Sequence, residues 1–255
     1  MDIKTNRVKH KLDNGQVATV LLAELTADLI ETFGRLGFDG MWIEAEHGSL
    51  DFQQVRNMTR ACDLWDIASV ARVHANIPGL IYRTLDQGVQ NILVPHVNTA
   101  EEAYEVVDAA KFPPIGHRGN YTSRQGYGVE DYVLKANDEV IVGILIEDII
   151  AINNLEDILA VDGLDLCFVA TGDLSNSMGY PGRPEHPEVI KVRNQAIEKI
   201  AESDKIAGTV TTEKDVDEMI QMGARLVTTG YQSWVEEGAA KYLREIKNSL
   251  SLKHI

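Results

Sequence analysis

Two acidic residues stand where apolar runs of strand length end. Glu147 directly follows the run from Val140 to Ile146, and Asp173 comes shortly after the run from Leu164 to Val169. Buried strands favour aliphatic residues, so an acid that ends such a run faces solvent or serves a function. Two carboxylates with open coordination positions suit a hard divalent cation such as Mg²⁺ or Mn²⁺, with water and substrate oxygens completing the shell.

Helix capping is the alternative role for both acids. Glu147 would cap a helix beginning near Ile149, and Asp173 would cap or stabilise the turn from Leu174 to Asn176. Anions are favoured at a helix N-terminus, where backbone N–H groups lack partners. Taken singly, neither acid decides between capping and metal binding.

Short aliphatic runs alternate with segments of helical spacing along the 255 residues, and some of these segments open with capping sequences such as Asn98 to Glu102. The eight predicted strands are Val17 to Leu22, Gly40 to Ile43, Ala68 to Val73, Asn91 to Val94, Ile141 to Ile146, Leu166 to Val169, Ile206 to Val210 and Leu226 to Thr229. Eight strand–helix units predict an α/β protein with a parallel sheet, which closes into a (β/α)₈ TIM barrel. We expect one domain over residues 1–255. An open doubly wound sheet is the alternative.

Composition excludes several classes of partner. The chain carries 39 acidic and 24 basic residues, a formal charge of −15, so it offers no basic surface for nucleic acid. It has no apolar stretch near the ~20 residues of a membrane helix and no signal-peptide pattern. Its two cysteines, Cys62 and Cys167, are predicted to be buried thiols. These features together predict a cytoplasmic protein.

In a parallel barrel the chemistry collects at the carboxyl ends of the strands. The predicted ends carry Glu44 to His47, Arg72, His96, Glu147 and Asp173. None of these positions is a lysine, which argues against a Schiff-base mechanism. A metal ion is the remaining way to hold an enolate.

An irregular segment, residues 111–128, follows the fourth strand–helix unit. A long loop with Arg, His and Tyr in a compact fold is more often a functional lid than filler. Arg118, Tyr121 and Arg124 could meet an anionic ligand there, and a merely solvated loop is the alternative.

Motifs spread over nearly the whole chain carry a family resemblance. They are Phe38 to Gly48, Arg72-Val73, Leu85 to Gly88, Val94 to Val97, Pro113 to Gly119, Ile146-Glu147 and Gly172 to Ser175. In this order and spacing they resemble the HpcH/HpaI class II aldolase family. The resemblance implies a (β/α)₈ barrel that assembles as a homohexamer. It also implies a lyase that uses a divalent metal, Mg²⁺ or Mn²⁺ before Co²⁺ or Zn²⁺, to split or join 2-oxo acids, with pyruvate and an aldehyde as the two halves.

The resemblance gives three residues roles around pyruvate. Glu147 and Asp173 match the family's metal ligands, and pyruvate would chelate the metal through its carboxylate and ketone oxygens. Arg72 matches the arginine beside the pyruvate oxygen, where a permanent charge stabilises the enolate. A structural ion pair is the alternative role for Arg72.

The resemblance also gives three residues roles in acid–base chemistry. His47 matches the family histidine that exchanges a proton with the aldol hydroxyl, directly or through water. Glu44 stands where relatives commonly carry an aspartate partner for this histidine, one methylene shorter. Asp86 matches a further acidic site residue.

Two positions depart from the family pattern. Leu145 replaces a glutamine two residues before the metal-binding glutamate, which predicts a less polar pocket. Thr171 precedes Gly172 in a turn where relatives commonly have Gly-Pro before the equivalent residue. Backbone N–H groups near Gly172 and Asp173 could still meet a pyruvate carboxylate.

Two other functions stay open. A phosphosugar isomerase or related barrel would bind phosphate with residues 208–212 and Gly230, although these loops lack a glycine cluster. A divergent binding barrel would keep the metal but have weak turnover, as Leu145 and the altered turn before Asp173 would favour.

Overall fold

Eight parallel strands form a closed barrel in the computed structural model, which describes residues 2–251. The strands are β1 Ala18–Leu21, β2 Gly40–Glu44, β3 Ala68–Arg72, β4 Asn91–Val94, β5 Ile141–Ile146, β6 Leu166–Val169, β7 Ile206–Val210 and β8 Ala224–Thr229. Each strand pairs with the next along the chain, and β8 pairs with β1 from Ala18↔Leu226 to Leu21↔Thr229. The prediction of a (β/α)₈ TIM barrel is confirmed, with every strand within two residues of its expected bounds. The open-sheet alternative is excluded.

Helices cover the outside of the barrel. Within the described residues they are α1 Arg7–Asp13, α2 Ala27–Phe33, α3 Phe52–Leu64, α4 Pro78–Asp86, α5 Ala100–Ala110, α6 Tyr132–Glu139, α7 Ile149–Asn153, α8 Leu155–Leu159, α9 Thr171–Ser177, α10 Pro187–Ala201, α11 Val216–Gln221 and α12 Gln232–Ser251. Local sequence sets where several begin: Thr99 caps α5 in a capping box with Glu102, and Asp51 does the same for α3 with Gln54.

Alternation along the strands sorts side chains into two cores. Successive strand residues point to opposite faces, so every second one enters the barrel. The inner core includes Trp42, Leu145 and Phe168, whereas Ile144 and Ile146 belong to the larger core between sheet and helices. Residues two positions beyond an inward side chain also point inward, which brings Glu44 and Glu147 to the carboxyl end of the barrel interior.

A buried carboxylate closes the opposite end of the barrel. Asp39, one residue before β2, is fully buried, and its Oδ2 accepts hydrogen bonds from the Thr19 backbone N–H at 2.9 Å and from Lys11 Nζ at 2.9 Å. Arg7 Nε lies 3.0 Å from Oδ1. Burial raises the pKa of Asp39, but the bonds from Lys11 and Thr19 outweigh it, and the net pKa is lowered. Asp39 therefore ties α1 to the barrel base.

Helix α12 is exposed along its described length. Every side chain from Gln232 to Ser249 is exposed, including the large apolar residues Val235, Tyr242, Leu243 and Ile246. Trp234, near its start, stacks on Phe38 at a centroid distance of 6.2 Å. No helix among residues 2–251 is long and apolar enough to cross a bilayer.

The two cysteines are free and buried, as predicted. Cys62 lies on α3 and Cys167 on β6. Burial raises the pKa of each thiol to about 12. Both cysteines therefore act as small apolar core residues.

Candidate active site

A cavity of about 350 Å³ opens at the carboxyl ends of the strands. Its lining contains seven of the predicted site residues, which are Glu44, Arg72, Leu145, Glu147, Thr171, Gly172 and Asp173, the last three at the start of α9. Trp42 and Phe168 form an aromatic wall, with ring centroids 5.8 Å apart. The structure thus brings residues from β2, β3, β5 and the turn after β6 into one place.

Glu147 is a buried carboxylate in this cavity, with 2% of its surface exposed. Its Oε1 accepts a hydrogen bond from the backbone N–H of His96 at 2.8 Å. Burial raises the pKa of Glu147; the His96 N–H lowers it, and the charges of Glu46 and Asp173 raise it further. The net pKa is raised, because the described residues give this carboxylate no lysine or arginine partner.

The alternative role in helix capping does not apply to Glu147, whereas Asp173 does lie at a helix N-terminus. Asp148, not Glu147, caps α7, accepting from the Ile150 backbone N–H at 2.8 Å. Asp173 lies in the first turn of α9, and its Oδ1 accepts from Asn176 Nδ2 at 3.3 Å. Glu147 therefore caps no helix, whereas Asp173 lines the cavity and its negative charge also stabilises the N-terminus of α9.

Arg72 is held by two glutamates. Its Nε donates to Glu44 Oε2 at 2.8 Å, and its Nη1 lies 2.9 Å from Glu46 Oε2. Trp42 Nε1 also donates to Glu44 Oε2, at 3.0 Å. The guanidinium is only 18% exposed, so these carboxylates fix its orientation at the edge of the cavity.

Glu44 organises the turn after β2 rather than the His47 ring. Its Oε1 accepts from the backbone N–H groups of Glu46 and His47, at 3.0 and 3.1 Å. The His47 ring is 64% exposed, and its Nε2 lies 3.8 Å from Glu46 Oε2. The structure does not join the Glu44 carboxylate to this imidazole, because the longer side chain turns back onto the backbone and Arg72.

Glu46 and His96 complete the cluster. His96 Nε2 lies 3.0 Å from Glu46 Oε1, and His96 Nδ1 lies 3.5 Å from Glu147 Oε1. Glu46 Oε2 is buried and, among residues 2–251, accepts no hydrogen bond, although Arg72 Nη1 lies 2.9 Å away as an ion-pair partner. Sequence reasoning placed both residues at strand exits but gave them no role.

Asp86 and Arg118 lie together but away from this cavity. Asp86 is the last residue of α4, and its Oδ1 accepts from Arg118 Nη2 at 2.7 Å. Arg118 is buried, with its guanidinium over the Phe112 ring at 4.6 Å. The pair stands near the amino ends of the strands, since nearby Lys111 donates to the Val140 carbonyl just before β5.

The segment 111–128 is therefore not a lid over its own chain's cavity. It connects α5 to α6 on the side where strands begin, and Gln125 Nε2 donates to the Gly88 carbonyl at 2.9 Å. Arg124 Nε donates to Thr59 Oγ1 at 3.2 Å, whereas Tyr121 is exposed. The expectation failed because only a loop that follows a strand reaches the mouth, and this loop follows a helix.

The HpcH/HpaI aldolase/citrate lyase family model matches residues 19–235, which include β1 from its second residue and the other seven strands in full. The chain belongs to this family. As a member of the HpcH/HpaI family with aldolase relatives, it is a carbon–carbon lyase. The phosphosugar isomerase alternative is thereby disfavoured.

Two relatives of known activity are similar over most of their length. The hydroxypyruvate/pyruvate aldolase of Cupriavidus necator is 37% identical over 227 residues, covering 87% of this chain and 84% of the relative. The 2-keto-3-deoxy-L-rhamnonate aldolase of Escherichia coli is 33% identical over 242 residues, covering 92% and 90%. A crystal structure of an HpcH/HpaI aldolase/citrate lyase family protein from Burkholderia cenocepacia superposes with a TM-score of 0.89 at 27% identity, covering 95% and 100%.

Proposed function

We propose that this protein catalyses the metal-dependent, reversible aldol cleavage of a 4-hydroxy-2-oxo acid into pyruvate, or a close 2-oxo acid, and an aldehyde. The observation that carries the proposal is the cavity in which Glu147, Asp173 and Arg72 meet. The activities of the two relatives, hydroxypyruvate/pyruvate aldolase and 2-keto-3-deoxy-L-rhamnonate aldolase, support this substrate class.

The charges around the cavity fit a divalent cation. Three carboxylates, Glu44, Glu147 and Asp173, line it with one cation, Arg72, so an anionic oxo acid alone would meet net negative charge. Glu147 and Asp173 supply hard oxygen donors. Two protein ligands would leave coordination positions for substrate and water. Bound there, Mg²⁺ or Mn²⁺ would supply Lewis acidity to the 2-oxo group.

The chain's own residues then have distinct tasks. Arg72, oriented by Glu44 and Glu46, stabilises negative charge on the substrate's 2-oxo oxygen as the enolate forms. The backbone N–H groups of Gly172 and Asp173 bind the substrate carboxylate. His47, exposed at the rim, exchanges a proton with the aldol hydroxyl through water.

The apolar wall excludes water from the reacting carbons. Leu145 is 1% exposed and lies on the same side of β5 as Glu147, two residues on. With Trp42 and Phe168 it makes one side of the cavity apolar. Since Leu145 offers no hydrogen bond, we expect an acceptor aldehyde with few polar groups near this wall.

Metal exchange with product analysis tests the proposal. Protein stripped with chelator receives Mg²⁺, Mn²⁺, Co²⁺ or Zn²⁺ singly, and pyruvate release is followed across a panel of 4-hydroxy-2-oxo acids. We expect activity to disappear with the metal and to return with Mg²⁺ or Mn²⁺. Cleavage that persists in chelator would contradict the mechanism, and metal binding without any cleavage would favour the divergent binding barrel.

The exposed helix α12 supports assembly with further copies of the chain, with a hexamer as the expected state. Its apolar residues Tyr242, Leu243 and Ile246 are 68%, 55% and 40% exposed. Near its start, a groove of about 140 Å³ lies over β8 and β1, where an eighth barrel helix would pack. A second copy of α12 fits both the missing cover and the uncovered helix.

Light scattering tests the assembly. Leu243→Glu should reduce the molar mass of the particle because it puts a charge into the apolar contact. Asn248→Glu, on the same helix, introduces the same charge and serves as the control. A monomeric wild-type protein would contradict the proposal.

A further inference from the structure

His96 has an unusual backbone conformation for its position. Its φ is 56°, and among the described non-glycine residues only Asp66 and Asp131 share a positive φ. A side chain with a Cβ disfavours this region, so the conformation persists where the surroundings fix it. Asp66 lies between α3 and β3 and Asp131 immediately precedes α6, whereas His96 follows β4 at the carboxyl end of the barrel.

The turned backbone lets one residue contact two acids from different strands. The His96 N–H donates to Glu147 Oε1 after β5, at 2.8 Å. The ring Nε2 lies 3.0 Å from Glu46 Oε1 after β2. Glu46 in turn lies 2.9 Å from Arg72 Nη1.

As a result of these contacts, the two carboxylate oxygens of Glu147 have different surroundings. Oε1 accepts the His96 N–H and lies 3.5 Å from the ring Nδ1. The hydrogen bond that residues 2–251 give to Glu147 falls on Oε1, and Glu147 lines the cavity. The carboxylate is therefore anchored through one oxygen.

We propose that His96 is a positioning residue whose contacts fix Glu147 and Glu46 relative to each other. Glu147 then presents its Oε2, and not Oε1, to the cation. The inference rests on the proposed function for the identity of that cation. It assigns the orientation of Glu147 to a contact between the exits of β4 and β5 and, through Glu46, connects that orientation to Arg72.

Substitution of His96 by glycine distinguishes the contribution of the imidazole ring from that of the backbone N–H. His96→Gly keeps the N–H and adopts a positive φ readily, but it removes the imidazole. His96→Asn also tolerates this conformation and retains one side-chain donor. Asp66→Gly is the matched control, because it relieves the same backbone conformation (φ 53°) away from the cavity.

The readout is the Mn²⁺ dissociation constant of the metal-free proteins, measured by calorimetry beside the melting temperature. We expect His96→Gly to weaken Mn²⁺ binding about 10- to 100-fold, as the loss of a residue that orients a metal ligand does. Its melting temperature should not fall below that of wild type, and His96→Asn should recover part of the affinity. Asp66→Gly should bind Mn²⁺ like wild type.

A double-mutant cycle with Glu46→Gln checks the second contact. If His96 acts through Glu46, the two substitutions together should weaken Mn²⁺ binding by less than the product of their separate effects. Unchanged affinity in His96→Gly, or a loss accompanied by general destabilisation, would overturn the positioning role. A wild-type protein that binds Mn²⁺ but cleaves no oxo acid would refute the proposed function while leaving this inference standing, and one that binds no Mn²⁺ would refute both.

Discussion

Two buried carboxylates at opposite ends of the barrel differ in what compensates their charge. Asp39 at the base receives Arg7, Lys11 and two hydrogen bonds from Thr19, and its pKa is lowered. Glu147 at the mouth receives the His96 N–H and, among residues 2–251, no lysine or arginine side chain, and burial raises its pKa. Both are almost completely buried, with 0% and 2% of their surface exposed.

Asp39 thus has the surroundings of a structural carboxylate, whereas the surroundings of Glu147 fit the ligand-binding role proposed for it. A charge that is paired within its own chain stabilises the fold, whereas an under-compensated buried charge lowers stability until a cation arrives. Sites of this kind are retained for function at a cost in stability. The comparison can be tested by removing each charge in turn.

Removing the charge of Glu147 should have the largest effect, and on activity. Glu147→Gln should lower kcat/KM on the order of 1000-fold, about 4 kcal/mol in the barrier, because a metal ligand is lost. In chelator the same variant should unfold at the same or a higher urea concentration than wild type. The control is Asp148→Asn, which neutralises the neighbouring carboxylate while keeping a side-chain oxygen that can cap α7. Full activity in Glu147→Gln would show that the carboxylate has no part in catalysis.

Replacing the single cation of the cavity should have the next largest effect. Arg72→Lys keeps the charge but cannot make the paired contacts to Glu44 and Glu46. We expect exchange of the pyruvate methyl protons, followed by NMR, to slow about 100-fold, or about 2.7 kcal/mol. An unchanged exchange rate would assign Arg72 a purely structural ion pair.

Substitution of Asp39 at the base of the barrel should lower the stability of the protein and leave its activity unchanged. Asp39→Asn should reduce the free energy of unfolding by about 2 kcal/mol, because the bonds to Lys11 and Thr19 weaken; the exposure of Arg7 and Lys11 limits the loss. Urea denaturation at neutral pH measures it. Since Asp39 lies far from the cavity, kcat/KM of the folded enzyme should not change, and a large loss of activity would contradict the division between the two ends.

The smallest expected effect is the pH dependence of the unfolding free energy that is lost in Asp39→Asn. The folded pKa of Asp39 lies below its ordinary value of 3.8, so its contribution is fully present above that value and disappears as the pH falls through the folded pKa. The difference in unfolding free energy between wild type and Asp39→Asn should therefore be constant from pH 7 to about pH 5 and should shrink below about pH 4. Unfolding curves at these pH values test the sign, and a difference that grows in acid would contradict it.

The strands were predictable because each is a short run of aliphatic residues. Ile141–Ile146 is buried at every position and has the bounds that its sequence predicts. The strand exits then located Glu147 and Arg72 at the mouth. Their convergence in one cavity depends on closure of the sheet, which pairing of β8 with β1 provides.

The partners of the site residues were not predictable in the same way. Glu44 was expected to orient His47, yet its carboxylate bonds Trp42 and Arg72, and no sequence spacing specifies such a rotamer. Glu46 and His96 carried the same strand-exit signal as their neighbours. Their mutual contact, however, depends on the left-handed backbone of His96, which nothing in the residue type announces.

The two thiols have a practical consequence. With pKa values near 12, Cys62 and Cys167 carry almost no thiolate at neutral pH and lie beyond the reach of alkylating reagents. Maleimide reagents should therefore not label the native cysteines of the folded chain. A single Ala240→Cys substitution on exposed α12 would take up a spin label or fluorophore selectively, and inter-probe distances would then test whether copies of this helix come together as proposed.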